Sequence, residues 1–243
     1  MISRLAVVET SQIGENVNIA EFCVIRDGAA IGNNVTIHPN VIIESGVTIG
    51  DGVEIFPGTY IGKEPKGAGA TARKVEFEPK ITIGADCAIG PNAVIYYDVS
   101  IGHNTLLGDG SSLREKVTIG HHCLISRYVT INYNTRIGNH TRIMDLTHIT
   151  GNCEIGDNVF VSVLVSTTND NVVRDRVYEE EKIKGPTIRN DATIGASACL
   201  LPRITIEEGA LVGANAVVSR DVKQFDVVMG IPAKVVRNLK SLE

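Results

Sequence analysis

Four of the six histidines in this 243-residue chain stand eighteen residues from another: His103 and His121, then His122 and His140. Imidazoles at such a repeat could hold a zinc ion, or they could sit solvated at the surface. A fifth, His148, follows Asp145 by three residues. An imidazole near a carboxylate is a pairing that general-base chemistry uses. Cations gather in GKEPKGAGATARKVEFEPK (62–80), where Lys63, Lys66, Arg73, Lys74 and Lys80 share the stretch with three glutamates. Such a segment could bind an anionic group such as a phosphate, or be a solvated loop of mixed charge. Cys23, Cys87, Cys123, Cys153 and Cys199 form no Cys-x-x-Cys pair, and no Gly-x-Ser-x-Gly elbow is present. The cysteines are expected to be buried thiols, and a covalent enzyme intermediate is not expected.

The elements that must position these groups follow from a second spacing. An aliphatic residue stands at every sixth position in three runs: Ile13 to Ile61, Ile83 to Val161, and Ile188 to Val218. Together they make twenty-nine hexads. A strict period of six fits no helix, whose apolar stripe follows a 3.6 repeat. It fits very short strands, each ending in a turn, wound into a solenoid. The residue after the aliphatic is often Gly, and four after it comes a small or β-branched residue such as Val17, Cys23, Ala29 or Val35. Long aliphatics fill the interior, small residues fit the corners, and Gly, Asn and Asp supply permissive backbone angles. Three hexads close one triangular coil of eighteen residues. Residues eighteen apart therefore stack, at roughly 4.8 Å per coil. About ten coils are expected.

The repeat breaks twice, and loops that interrupt a rigid scaffold often carry function. The breaks fall near 62–82 and 166–187, the second being strongly charged (STTNDNVVRDRVYEEEKIKGPT) and expected to leave the prism as an arm. A β-helical body over 1–218 is followed by a capping segment, 219–243. There Pro232, Ala233, Val236 and Leu239 suggest a short amphipathic α-helix. Net charge is −5, which gives no support for nucleic-acid binding. No apolar run reaches membrane-spanning length and no signal-peptide pattern opens the chain, so a cytoplasmic location is expected.

The hexads, the late break and the ending GIPAKVVRNLKS (230–241) resemble the hexapeptide-repeat acyltransferases. That resemblance implies an all-β, left-handed parallel β-helix. It also implies a homotrimer with active sites between prisms and acyl-CoA along the C-terminal coils. The segment GNHTRIMDLTHITGNCEIGDNV (138–159) is similar to the catalytic stretch of UDP-N-acetylglucosamine O-acyltransferases, which place one histidine where His148 stands and their catalytic histidine where this chain has Gly151. The runs PKGAGATARK (65–74), VFVSVLVSTTND (159–170) and KGPTIRNDATIGASACLLPRITI (184–206) resemble N-acetyltransferases of nucleotide-linked amino sugars. Several of those lack an obvious protein base.

The resemblance implies an acetyl-CoA-dependent N-acetyltransferase acting on a dTDP- or UDP-linked amino sugar destined for surface polysaccharide. An O-acyltransferase, or a non-catalytic or metal-binding β-helix, is the alternative. His148 is the expected catalytic or substrate-orienting residue, with Asp145 assisting. Gly195, Ala196, Gly213 and Ala214 match small-residue positions that let pantetheine approach, while Arg203, Lys234 and Arg237 could meet its phosphates. Asn169 and Asp170 match the family's motif before the arm; with Lys66 and Arg73 they are the expected acceptor contacts. No metal is expected.

Overall fold

A computed structural model describes residues 1–68, 73–170 and 182–242. The hexads form strands mostly two residues long, whose second residue points inward. Ile25, Ile43, Ile95, Ile131 and Ile149 are all fully buried. Burying one such side chain contributes about 1.5–3 kcal/mol relative to leaving it exposed, and each coil obtains that burial from its neighbours. Pairing between coils follows the eighteen-residue step, as in Thr130 with His148 and Arg142 with Phe160.

Three parallel sheets result, and the winding is left-handed. The first face runs from Val7–Val8 to Val217–Val218 in eleven strands. The second runs from Ala30–Ile31 to Thr205–Ile206 in nine. The third runs from Asn18–Ile19 to Lys234–Asn238 in twelve, the last pair antiparallel. The chain passes from first to second to third face and back again.

The expectation of about ten coils is too low; the solenoid has about twelve. The extra turns lie at the ends, where stacking persists without clean hexads. Val7–Val8 pairs with Val24–Ile25, and Asp226–Met229 stacks on Leu211–Val212. The expected C-terminal α-helix is absent. Lys234–Asn238 instead pairs antiparallel with Asp226–Met229, and only Leu239–Leu242 is helical, as one 3₁₀ turn. The reason is local: Val235 and Val236 are β-branched, a helix this short is marginal alone, and the outermost strand offers an unpaired ladder edge.

Corners use left-handed backbone, mostly at Asn and Asp, as at Asn16, Asn34, Asn104 and Asn158. The third-to-first corner departs from this on three successive coils. Tyr128, Leu146 and Leu164 adopt the same conformation, stack in one column, and are 60%, 56% and 53% exposed. Four cysteines are buried as expected, and Cys199 is half-exposed. Among the described residues no helix is long and apolar enough to cross a membrane.

Candidate functional site

Both breaks leave the prism at the same corner, first-to-second. The early one follows Tyr60–Lys63 and the late one follows Ser166–Thr167. Between them one column of the corner reads Tyr97, Glu115, Tyr133, Gly151, Asn169, each eighteen from the last. Side chains from the two breaks converge on it.

From the early break, Arg73 forms an ion pair with Glu115, and its guanidinium carbon lies 3.8 Å from the centre of the Tyr133 ring. Glu115 is fully buried and is also held by Arg114 at 2.9 Å. Burial pushes the Glu115 carboxyl up. Its own backbone N–H and the two arginines outweigh that, leaving it below the usual carboxylate range. Arg114 and Lys63 lie 4.8 and 5.0 Å from the Tyr96 ring centre, which seats the start of the same loop.

The late break is tied in from above. Asn169 donates from its amide to the Gly151 carbonyl at 3.2 Å and to the Tyr133 hydroxyl at 3.5 Å. Asn152 donates to the Ile183 carbonyl at 2.8 Å. The expected arm falls largely within 171–181, outside the described residues.

Gly151 has a geometric requirement. A Cβ there would lie 2.7 Å from Cζ of Tyr133, so the tyrosine ring fills the space that any side chain at 151 would need. Gly151→Ala is therefore expected to push the ring off Arg73 and destabilise the protein by about 2 kcal/mol, read as a lower melting temperature.

A cleft of about 190 Å³ lies between the early loop and this corner, lined by Arg73, Lys116, Tyr133, Asn134 and Asn152 among others. Two wider depressions of about 450 and 550 Å³ adjoin it on the second face. Asn134 lines all three.

His148 points outward from the first face, two residues before the same corner, and is half-buried. Its Nδ1 is 2.7 Å from the Thr130 hydroxyl one coil below. Burial lowers its pKa, so the ring is neutral at pH 7. Asp145 does not meet it. Hydrogen bonds from Arg127 and then Ser126 hold the Asp145 carboxyl at about 2. Asp145 belongs to the third-to-first corner, where Val163, Ala196 and Ala214 continue its column upward.

The positions suggested for the acyl donor are divided among three places. Gly195, Ala196, Gly213 and Ala214 share the third-to-first corner. A Cβ on Gly195 would lie 2.5 Å from the Ala214 nitrogen, so close coil packing already requires glycine there. Arg203 is at the first-to-second corner, donating to the Lys182 carbonyl. Lys234 and Arg237 are exposed on the terminal strand. Of the suggested acceptor contacts, Arg73 and Asn169 meet at Tyr133, Lys66 is exposed in the early loop, and Asp170 stands exposed where the late break leaves the corner.

The sequence reading passed over Glu115, Tyr133, Lys116 and Arg136. The eighteen-residue column was available as a signal. Its convergence with Arg73 was not, because that contact spans forty-two residues.

Four histidines do gather at the second-to-third corner. His103 stacks on His121 and His122 on His140, with ring centres 4.8 and 5.1 Å apart. Among the described residues no group of three or more His, Cys, Asp or Glu is placed to hold a metal ion.

Comparison with known proteins agrees with the geometry. The model of bacterial transferase hexapeptide (six repeats) matches residues 10–44 and 28–63. That of the hexapeptide repeat of succinyl-transferase matches 187–220, and the GMPPB C-terminal domain matches 71–183. A serine acetyltransferase of Bacillus subtilis is 45% identical over 58 residues, 24% of this chain and 27% of that protein. A 2,3,4,5-tetrahydropyridine-2,6-dicarboxylate N-acetyltransferase of Enterococcus faecalis is 40% identical over 63 residues, 26% of this chain and 27% of that one. The chain thus spans about a quarter of the length of these relatives. The structure of an Arabidopsis UDP-N-acetylglucosamine acyltransferase shares the fold, with a TM-score of 0.62 and 18% identity over 100% of this chain and 75% of that one. Hexads, coils and matched models lead to one conclusion: the chain is a β-helix that carries hexapeptide transferase repeats over residues 10–44, 28–63 and 187–220.

Proposed function

We propose that this protein is an acetyl-CoA-dependent N-acetyltransferase acting on the amino group of a nucleotide-linked amino sugar. The observation that carries this reading is the placement of His148. It is a neutral, outward-facing imidazole on the first face, next to the third-to-first corner that carries Ala196 and Ala214 on higher coils, in a chain whose partial relatives are named acetyltransferases. The acyl donor lies along the third-to-first corner, over Ala214 and Ala196. From there to the Asp145 level is three coils, roughly 14 Å.

The acceptor amine attacks the thioester carbonyl carbon, forming the C–N bond and an oxyanion. His148 takes a proton from the attacking nitrogen as positive charge develops on it. Collapse breaks the C–S bond, and the proton passes to the departing thiolate. The products are an acetamido sugar and CoA with a free thiol. A neutral amine is a stronger nucleophile than an alcohol, so one base held in place can suffice. The Tyr133 ring, one coil below, fills the space a second imidazole at Gly151 would need, which weighs against O-acylation.

Calorimetry with acetyl-CoA, followed by thiol release over a panel of dTDP- and UDP-amino sugars and their hydroxyl counterparts, tests the reading. Turnover confined to amines is expected. Turnover confined to hydroxyl acceptors, or no affinity for CoA, would overturn it.

The reading includes a homotrimer with sites between prisms. Tyr128, Leu146 and Leu164 support it, because bulky apolar residues hold a conformation better suited to Asn and face solvent in a lone prism. Leu146→Asn is expected to leave the coil at least as stable while shifting the assembly to monomer. Sedimentation equilibrium reads the shift, and an unchanged trimer would contradict this role for the column.

A further inference from the structure

We propose that the small cleft at the first-to-second corner seats the acceptor's sugar, with Lys116 and Arg136 holding the diphosphate that links it to the nucleoside. This rests on the acceptor class proposed above.

The sequence draws attention to the cations of the early break, Lys66 and Arg73 among them, but the structure commits Arg73 elsewhere. Its charge is neutralised by Glu115 and its plane lies on Tyr133. Lys116 and Arg136 are exposed and have no ion-pair partner among the described residues. They also stand where the depressions meet. Lys116 lines the clefts of about 190 and 450 Å³, and Arg136 lines those of about 450 and 550 Å³. A diphosphate at that junction takes charge-assisted hydrogen bonds from an ammonium on one side and a forked guanidinium on the other. The wide cleft beyond has room for a nucleoside; the narrow one suits a single pyranose.

The polar groups of the narrow cleft also suit a sugar. Asn169 donates into the Tyr133 hydroxyl, which leaves the tyrosine proton to donate to a ligand. Asn134 gives its amide N–H to Asn152 at 2.7 Å, which leaves its carbonyl oxygen as an acceptor. A donor and an acceptor lining one cleft match a ring hydroxyl, which needs both. The acids nearby are accounted for in part. Glu76 pairs with Lys74, and Asp98 accepts the Glu78 backbone N–H. Glu154 lies beside Arg136 in register without an ion pair.

Calorimetry with UDP, dTDP, the matching nucleosides and UDP-N-acetylglucosamine as probes tests the seat. Lys116→Ala and Arg136→Ala are each expected to weaken UDP or dTDP about tenfold, leaving acetyl-CoA affinity unchanged. Tyr133→Phe keeps the ring on Arg73. It is expected to leave UDP affinity intact and to weaken UDP-N-acetylglucosamine about fivefold. Undiminished UDP and dTDP binding by both cation variants would overturn the seat and leave the acetyltransferase reading standing. If the wild-type protein bound neither nucleotide yet acetylated other amines, the seat and the acceptor class would both fall. Nucleotide binding that depends on Lys116 and Arg136, without any affinity for CoA, would support the seat and sink the acetyltransferase.

Discussion

Glu115→Ala is expected to destabilise the protein by about 3 kcal/mol, because it leaves two arginines facing a buried site without their anion. For a chain of this length that corresponds to a fall in melting temperature of about 10 °C. The magnitude follows from burial: Glu115 is 0% exposed, while the Arg73 and Arg114 side chains are 13% and 29% exposed, so the arginines retain some water. Arg73→Ala is expected to cost less, since Glu115 keeps Arg114. Its effect concentrates in the early loop, whose limited proteolysis should accelerate. A solenoid transmits stability between neighbouring coils, so the damage should centre on the coils of Glu115 and Tyr133. Hydrogen exchange can read that localisation. The pH dependence has a definite sign. The folded carboxyl titrates below its unfolded value, so its contribution is fully present above about pH 4.3 and is lost as pH falls through the lower folded value. A Glu115→Gln variant should remove that acid-side loss and be less stable at neutral pH.

The second large effect concerns chemistry. His148→Ala is expected to lower kcat about 100-fold, with the KM for acetyl-CoA unchanged, as loss of a general base would do. Its pKa is depressed by burial, so His148 should add an acid limb to the wild-type rate below its ordinary value of about 6.5, on top of the loss that protonation of the acceptor amine causes in either enzyme. That acid limb should vanish in the alanine variant, whose residual rate should rise with pH as the acceptor amine deprotonates. Thr130→Val frees Nδ1 of the ring and should give a smaller loss with the acid limb retained. A His148→Ala enzyme with the wild-type rate and pH profile would remove His148 from the mechanism. Asp145→Asn separates two roles. Because Asp145 is bonded to Arg127 and Ser126, that change should alter the third-to-first corner without shifting the acid limb.

The resemblance places histidines at 148 and 151 in relatives that acylate hydroxyls, and this chain keeps only the first. The structure supplies a physical counterpart to that difference. Tyr133 lies over Gly151, Arg73 lies over Tyr133, and Glu115 fixes Arg73. Restoring a side chain at 151 would therefore disturb three residues and the loop they anchor.

The tube itself was legible in the residues. A side chain that recurs every sixth position can be buried only if the backbone turns three times in eighteen residues. Hence Ile25, Ile95 and Ile149 were identifiable as interior before any coordinates. The same arithmetic stacked His103 on His121 and His122 on His140. It also put Thr130 beneath His148. Two things escaped it. The ends keep coiling where the hexads fade, because a stacked edge accepts any strand that satisfies its hydrogen bonds; Val235 and Val236 therefore pair where a helix was expected. The corner site was hidden for a different reason. Periodicity fixes residues of the repeat relative to one another but says nothing of a segment that leaves it. Only the folded loop shows that Arg73 turns back to Glu115 and Tyr133, while Lys116 and Arg136 stay without an ion pair among the described residues.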